Sequence, residues 1–212
     1  MSLRLVITGT DTDVGKTVFS AALANALDSY YWKPIQAGLD SETDSETVHR
    51  LGKIPLKRIL PEAWRLKTPA APYISAIIDG LTINPQTLQP PEGKFPLIIE
   101  GAGGLLVPIT RHKLFIDVFS QWQCPVILCT RTSLGTINHT LLSIEAMRTR
   151  KIKILGVVFI GDEQPETEKT ISEIGSVHHL GRLPKISPLT PDTLHKNFHK
   201  HFDVSSFTKD ST

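Results

Sequence analysis

An α/β architecture, with a doubly wound, mostly parallel sheet and helices on both faces, is predicted by three features of the chain. Short apolar runs recur at residues 5–7, 95–99, 125–129 and 154–160, apolar at consecutive rather than alternate positions, as strands buried on both faces require. Segments of helical period separate several of these runs, and strands joined through helices form parallel sheets with right-handed crossovers. The first run passes through a glycine-bounded turn straight into a helix. A chain of 212 residues, 40% hydrophobic, can bury one sizeable core, so one domain spanning 1–212 is expected, without internal repeats.

The first strand comes from Leu5, Val6 and Ile7, bounded by Thr8-Gly9. From Lys16 onward Val18, Phe19, Ala22, Leu23, Ala26 and Leu27 follow helical spacing. A strand, a turn and a helix opening on Gly15-Lys16-Thr17 form the layout of a phosphate-binding loop. Backbone N–H groups and the positive helix end face an anion, Lys16 reaches the terminal phosphates, and the Thr17 hydroxyl ligates magnesium. Five residues separate Gly9 from Gly15 where the usual motif has four, and Thr10 takes the slot of its first glycine. The competing reading is an ordinary strand-to-helix turn capped by Asp.

A second strand is expected over residues 30–35 (YYWKPI), with Pro34 holding Lys33 extended at its C-terminal end. Residues 39–50 are polar and acidic before a helix at about 46–51. Residues 53–96, with many prolines, read as irregular loops with one or two short helices. The segment 95–100 (FPLIIE) is expected as an apolar strand that stops at Glu100 and a glycine cluster. A strand at 125–129 leads to a helix over 137–147. Strands follow at 154–160 and about 179–183, then an amphipathic helix at about 191–202.

In a doubly wound sheet, ligands sit beyond the carboxyl edge of the strands. Lys16, Thr17, Lys33, Glu100 and the turn Gly135-Thr136-Ile137-Asn138 are thereby expected around one crevice. Thr17 and Glu100 are natural oxygen donors to Mg2+, with Asp44 as a third candidate; a turn-forming carboxylate at Glu100 and a solvated acidic loop at Asp44 are the bland alternatives. A second lysine at the edge, Lys33, points to an additional anion or to added charge for phosphoryl transfer, against the alternative of a solvated strand-end lysine. The turn at 135–138 opens a helix whose N–H groups suit a carboxylate.

Other features exclude more than they assign. The net charge of +2 is scattered, so neither nucleic acid nor a cationic partner is indicated. Cys124 and Cys129 are expected as buried, reduced thiols. No apolar stretch approaches the ~18 residues of a membrane helix and no signal peptide precedes the first strand, so a cytoplasmic location is expected. His139 is expected as a structural partner rather than a base. His195, His199 and His201 have helical metal-ligand spacing but no companion carboxylate, and a solvated helix face is favoured.

The set GTDTDVGKT (9–17), WKPIQAG (32–38), TPAAPYISA (68–76), EGAGGLLVPI (100–109) and LGTINHTLLS (134–143) resembles, in this order, the motifs of the dethiobiotin synthetase family. The resemblance spans about residues 3–161 and implies a P-loop fold, homodimeric and ATP- and Mg2+-dependent. It implies ring closure of 7,8-diaminopelargonic acid with carbon dioxide to dethiobiotin, through a carbamate and a carbamic–phosphoric anhydride. It further implies Lys16 and Lys33 in catalysis and Asp13, Val14, Gly15, Lys16, Thr17, Val18, Glu100 and Gly103 on the nucleotide. Thr17, Asp44 and Glu100 would hold the metal. Thr10, Lys33, Gln36, Ala37, Gly135, Thr136, Ile137 and Asn138 would hold the substrate, the last four reaching a neighbouring subunit's site. Ala37 stands where the family often has Ser or Thr, so one hydrogen bond there is expected to be either missing or replaced by Gln36; Gly161 stands where many members have Asn, and Pro188 falls near a ribose contact. The runner-up is a P-loop switch ATPase of the partitioning or septum-positioning type. Such proteins carry a lysine near the loop's start, where this chain has Thr10-Asp11-Thr12.

Overall fold

The computed structural model describes residues 3–208. Its centre is a seven-stranded sheet with all pairings parallel, and the first strand, β1 (Arg4–Gly9), lies in the middle. Along β1, Leu5 and Ile7 pack against one layer of helices and Val6 against the other, so every position of the run is buried. The chain then enters α1 (Lys16–Ala26) directly.

The segment at 30–35 departs from expectation. It forms two strands, β2 (Tyr30–Trp32) and β3 (Ile35–Ala37), because Pro34 has no N–H to donate and the ladder breaks there. Lys33 therefore lies just past the end of β2. After α2 (Asp44–Gly52), the proline-rich stretch holds more regular structure than its composition suggests: β4 (Ile59–Leu60), β5 (Trp64–Leu66), α3 (Pro72–Ile78) and two 3-10 turns. Strand β4 becomes the sheet's edge beside β2, and β5 pairs with β3 in a separate two-stranded ribbon.

The strand expected to stop at Glu100 runs on, as β6 (Leu97–Gly104). Ile7 is in register with Glu100 and, past a register shift, Gly9 with Gly104. The glycines thus continue the pairing, and Glu100 lies inside the sheet, fully buried. A short hairpin, β7 (Pro108–Thr110) with β8 (Lys113–Leu114), precedes α4 (Phe115–Trp122). Then come β9 (Val126–Arg131), α5 (Thr136–Thr149), β10 (Ile154–Ile160), α6 (Pro165–Gly175), β11 (His179–Leu183) and α7 (Pro191–His201). Helices α4 and α6 carry no expectation from sequence.

The sheet order is β11-β10-β9-β1-β6-β2-β4. From β1 the chain moves outward one way through β2 and returns to β6, then moves the other way through β9, β10 and β11. The order reverses beside β1, and that is where a ligand crevice opens at the carboxyl edge. Helices α1, α2 and α7 cover one face and α4, α5 and α6 the other, each over its own apolar cluster. Both cysteines are buried free thiols; burial pushes the Cys129 thiol far up, so it stays protonated. Among the described residues no helix is long and apolar enough to cross a membrane.

Candidate active site

The loop between β1 and α1 is shaped by its own backbone. Asp13 and Gly15 adopt positive φ, and Gly15 caps α1 in the left-handed conformation without any side-chain acceptor over the first helical turn. The N–H groups of the helix start face the crevice as an anion cradle. A side chain at Gly15 would press on Ile160, so the close approach of β10 also selects glycine here. Val14 and Lys16 are buried, whereas Asp13 is exposed. Lys16 folds back so that its Nζ donates to the Asp11 carbonyl at 2.9 Å. Arg131 Nη2 donates to the Thr12 carbonyl at 2.8 Å and ties the loop to the end of β9.

Around this loop the chain brings together residues far apart in sequence. Lys33 Nζ lies 2.6 Å from Asp44 Oδ2, 3.1 Å from Glu100 Oε1 and 3.0 Å from the Gly101 carbonyl. The Thr17 hydroxyl lies 2.8 Å from Asp44 Oδ1 and 2.8 Å from Glu100 Oε1. Burial alone would lower the Lys33 pKa, but the charges of Glu100 and Asp44 outweigh it and the net shift is upward. Asp44 mirrors this: burial raises its pKa, and Lys33 more than offsets it, leaving the carboxyl below its ordinary value. Lys16 is held below the ordinary lysine value by burial and then by the charge of Lys33. The charge of Lys33 thus bears on Lys16.

One hydroxyl proton cannot serve two carboxylate oxygens at once, so the Thr17–Asp44–Glu100 cluster has an excess of hard oxygen acceptors. Such a set fits Mg2+, which takes one or two carboxylates and fills its remaining positions with phosphate oxygens and water. Among the described residues no three His, Cys, Asp or Glu side chains group to hold a metal by themselves. A cation here would depend on a bound phosphate.

The remaining candidates divide. Gly103, at φ 64, lies against Thr12 where β6 passes the loop. Gln36 is engaged within the chain: its Nε2 donates to the Ala37 carbonyl at 3.2 Å, and its Oε1 accepts from the Asp44 N–H at 3.2 Å. It anchors Asp44 because β3 leads straight to the start of α2. Ala37 is half-buried on β3. Gly135, at φ 93, caps α5 without a side-chain acceptor, and Ile137 and Asn138 are exposed at the first turn. Thr136 is engaged inward, its N–H on the Ser133 carbonyl at 3.1 Å and its hydroxyl on the Arg131 carbonyl at 2.5 Å.

Thr10 joins this turn through Thr130, whose hydroxyl lies 3.4 Å from that of Thr10 and 2.7 Å from that of Thr136. Beyond Thr10, a cavity of about 330 Å3 runs between the loop, Leu106 and the His139–Leu142 face of α5. On the other side of the loop, Gly161 lines a cavity of about 320 Å3 with Thr132, Asp162 and Lys185. A side chain at Gly161 would collide with the Thr132 hydroxyl, which accounts for the glycine. Pro188 lies before α7, its carbonyl accepting from Thr193. His195 is not on a fully solvated face as expected: its Nε2 is buried, and burial holds its pKa down.

Sequence reasoning passed over Tyr31 and Arg131. Tyr31 sits two residues before Lys33, so strand periodicity puts both on one face, and its hydroxyl donates to Glu100 Oε2 at 3.0 Å. Burial and the Glu100 charge push its pKa well up, so it remains a donor.

A family model described as an AAA domain matches residues 3–193. The chain is 60% identical over 207 residues, covering 98% of each protein, to the ATP-dependent dethiobiotin synthetase BioD of Agrobacterium fabrum. It is 57% identical over 212 residues, covering 100% of each, to the protein of that name from Rhodopseudomonas palustris. Among solved structures it resembles the septum site-determining protein MinD with Mg-ADP from Pyrococcus horikoshii, at TM-score 0.56 and 15% identity over 100% of this chain and 90% of that one. It also resembles a ParA family ATPase from Chlorobium tepidum, at TM-score 0.55 and 11% identity over 92% and 97%. At such identities the two structures bear on the fold alone, which is that of the P-loop ATPases.

Proposed function

The chain belongs to the ATP-dependent dethiobiotin synthetase family, and from that premise we infer that it closes the cyclic urea of dethiobiotin in biotin synthesis. It is an ATP-dependent cyclo-ligase acting on 7,8-diaminopelargonic acid and carbon dioxide. The observation that carries the assignment is Lys33, buried and ion-paired to both Asp44 and Glu100, with its charge acting on Lys16. A carbamate next to a γ-phosphate needs that second ammonium, and the lysine that a switch ATPase carries near the start of its loop is replaced here by Thr10-Asp11-Thr12.

Carbon dioxide adds to one amine of the substrate, giving a carbamate and releasing a proton. The carbamate oxygen attacks the γ-phosphorus and ADP leaves; the second amine then attacks the carbamate carbon, closing the ring and expelling phosphate. Negative charge builds on the phosphoryl oxygens and the carbamate together. Lys16 faces the former and Lys33 the latter, each held without solvent reorganisation. The loop N–H groups from Asp13 to Val18 cradle the phosphates, and Gly103 closes against the loop. Thr17, Asp44 and Glu100 would hold Mg2+, which would supply charge neutralisation to the phosphates. No protein nucleophile takes part.

Thr10 and Ala37 flank the diamine, and Gln36 acts through Asp44. The start of α5, with Gly135, Ile137 and Asn138, receives the distal carboxylate of a substrate in the partner subunit's site of a homodimer. Leu134 and Ile137 are exposed around a cavity there, and Leu106 and Leu142 around a second one beside the loop, apolar rims suited to a second copy. The chain works as one domain in the cytoplasm, without nucleic acid or membrane. ADP release measured with each component omitted tests the reading: turnover requires both bicarbonate and the diamine, yields dethiobiotin, and stops with EDTA. Brisk hydrolysis without the diamine would instead favour a switch ATPase.

A further inference from the structure

We propose that Tyr31 is a positioning residue for the cation, holding Oε2 of Glu100 so that Glu100 offers the metal Oε1 alone. The proposal rests on the reading of Thr17, Asp44 and Glu100 as the Mg2+ site. Tyr31 and Glu100 are both fully buried, on adjacent parallel strands with Tyr31 in register with Ile98. Strand periodicity points Tyr31 and Lys33 to the same side as Ile98 and Glu100. The two carboxylate oxygens are thereby divided. Oε1 faces Lys33 at 3.1 Å and the Thr17 hydroxyl at 2.8 Å, and Oε2 faces the Tyr31 hydroxyl at 3.0 Å. A phenylalanine would fill the same core volume; the hydroxyl is tolerated there because it meets Oε2.

The division matters for the choice of ion. Mg2+ demands near-octahedral geometry with one oxygen per position, while the larger Ca2+ accepts a bidentate carboxylate. With Oε2 retained by Tyr31, Glu100 cannot swing to present both oxygens, so the site favours the smaller ion. Partners that orient metal ligands in this way contribute about 10- to 100-fold in affinity.

The test is Tyr31→Phe, with Mn2+ affinity measured by electron paramagnetic resonance in the presence of ADP and Ca2+ as competitor. The expected result is Mn2+ binding weakened about 10- to 100-fold, more effective competition by Ca2+, and unchanged affinity for ADP without cation. A tyrosine that merely fills the core would alter melting temperature and leave these ratios alone; Mn2+ bound as tightly as in the unsubstituted enzyme, with Ca2+ no better a competitor, would overturn the proposal. Asp44→Asn separates this from the site itself. If Asp44→Asn loses Mn2+ and Tyr31→Phe keeps it, only Tyr31 is misassigned; if the unsubstituted enzyme with ADP binds no Mn2+, the site and the proposal fall together. Should Tyr31→Phe not fold, 3-fluorotyrosine placed at position 31 gives a second readout. Its fluorine resonance shifts when Mg2+ is added to the ADP complex, and a resonance indifferent to the cation would equally overturn the proposal.

Discussion

Lys33 stays charged inside the protein because two carboxylates face it, and Asp44 in turn stays charged because of Lys33. Removing one member of such a buried set leaves uncompensated charge, which typically costs about 3–5 kcal/mol. Lys33→Gln keeps a donor for the Gly101 carbonyl but loses the charge. The expected outcome is a lower melting temperature, ATP affinity largely retained, and kcat reduced about 100- to 1000-fold, the range for losing one transition-state donor. Steady-state kinetics beside calorimetric nucleotide binding would separate the two effects, and unchanged kcat would remove Lys33 from the chemistry. The pH dependence follows from opposite shifts in the two lysines. Lys16 is lowered and Lys33 raised from 10.5, so on alkaline titration Lys16 loses its proton first. The alkaline limb of kcat/KM for ATP, which reports the free enzyme, is therefore expected below 10.5 and to move upward in Lys16→Arg. For stability the Lys33 contribution is complete below the unfolded lysine value and fades as pH rises through its higher folded value. That of Asp44 is complete above 3.8 and fades as pH falls through its lower folded value.

The elements that carry these residues were legible where burial left a pattern and obscure where it did not. Strands β1, β9, β10 and β11 and helices α1, α5 and α7 announce themselves by apolar runs or helical spacing. Helix α4 does not, because Phe115, Ile116, Val118 and Phe119 are strand-like residue types crowded together. Helix α6 buries little apolar surface besides Ile171, so its stripe is too thin to read. Glu100 reads as a strand end because glycines follow it, and only pairing with β1 reveals that the strand continues. Lys16 and Thr17 are visible from the loop motif. The orientation of Asp44 is not, since it depends on the Gln36 amide and on the capping box in which Thr43 and Glu46 exchange hydrogen bonds of 2.7 and 3.3 Å. That box predicts the effect of Thr43→Ala. Losing the cap should cost about 0.5–2 kcal/mol, and loosening the first turn of α2 should raise the Mg2+ requirement with little change in ATP affinity. Chemical denaturation and a Mg2+ titration of the rate measure the two separately. A stability loss with an unaltered Mg2+ requirement would mean that Lys33, Thr17 and Gln36 hold Asp44 in place without the cap.

For the enzyme as a whole, the start of α5 is where the proposed dimer can be tested. Gly135, Ile137 and Asn138 sit at an exposed helix start and line a cavity with the exposed Leu134, next to the phosphate loop but reached by no charged side chain of α5's first turn. In the proposed dimer, the loop of one protomer and the α5 start of its partner complete each site, and two-fold symmetry produces two such sites. Lys16→Gln should disable the loop, and Asn138→Asp should repel the substrate carboxylate, so each homodimer is expected to be nearly inactive. In a mixed dimer, one site combines the intact Lys16 of one protomer with the intact Asn138 of the other, while the second site carries both defects. Random reassociation of an equal mixture makes about half the dimers mixed, each with one working site, and should return about a quarter of the original activity. If every site were confined to one chain, mixed dimers would hold no intact site and mixing would restore nothing. Activity measured after partial denaturation and joint refolding decides between these outcomes, with each variant refolded alone as its baseline.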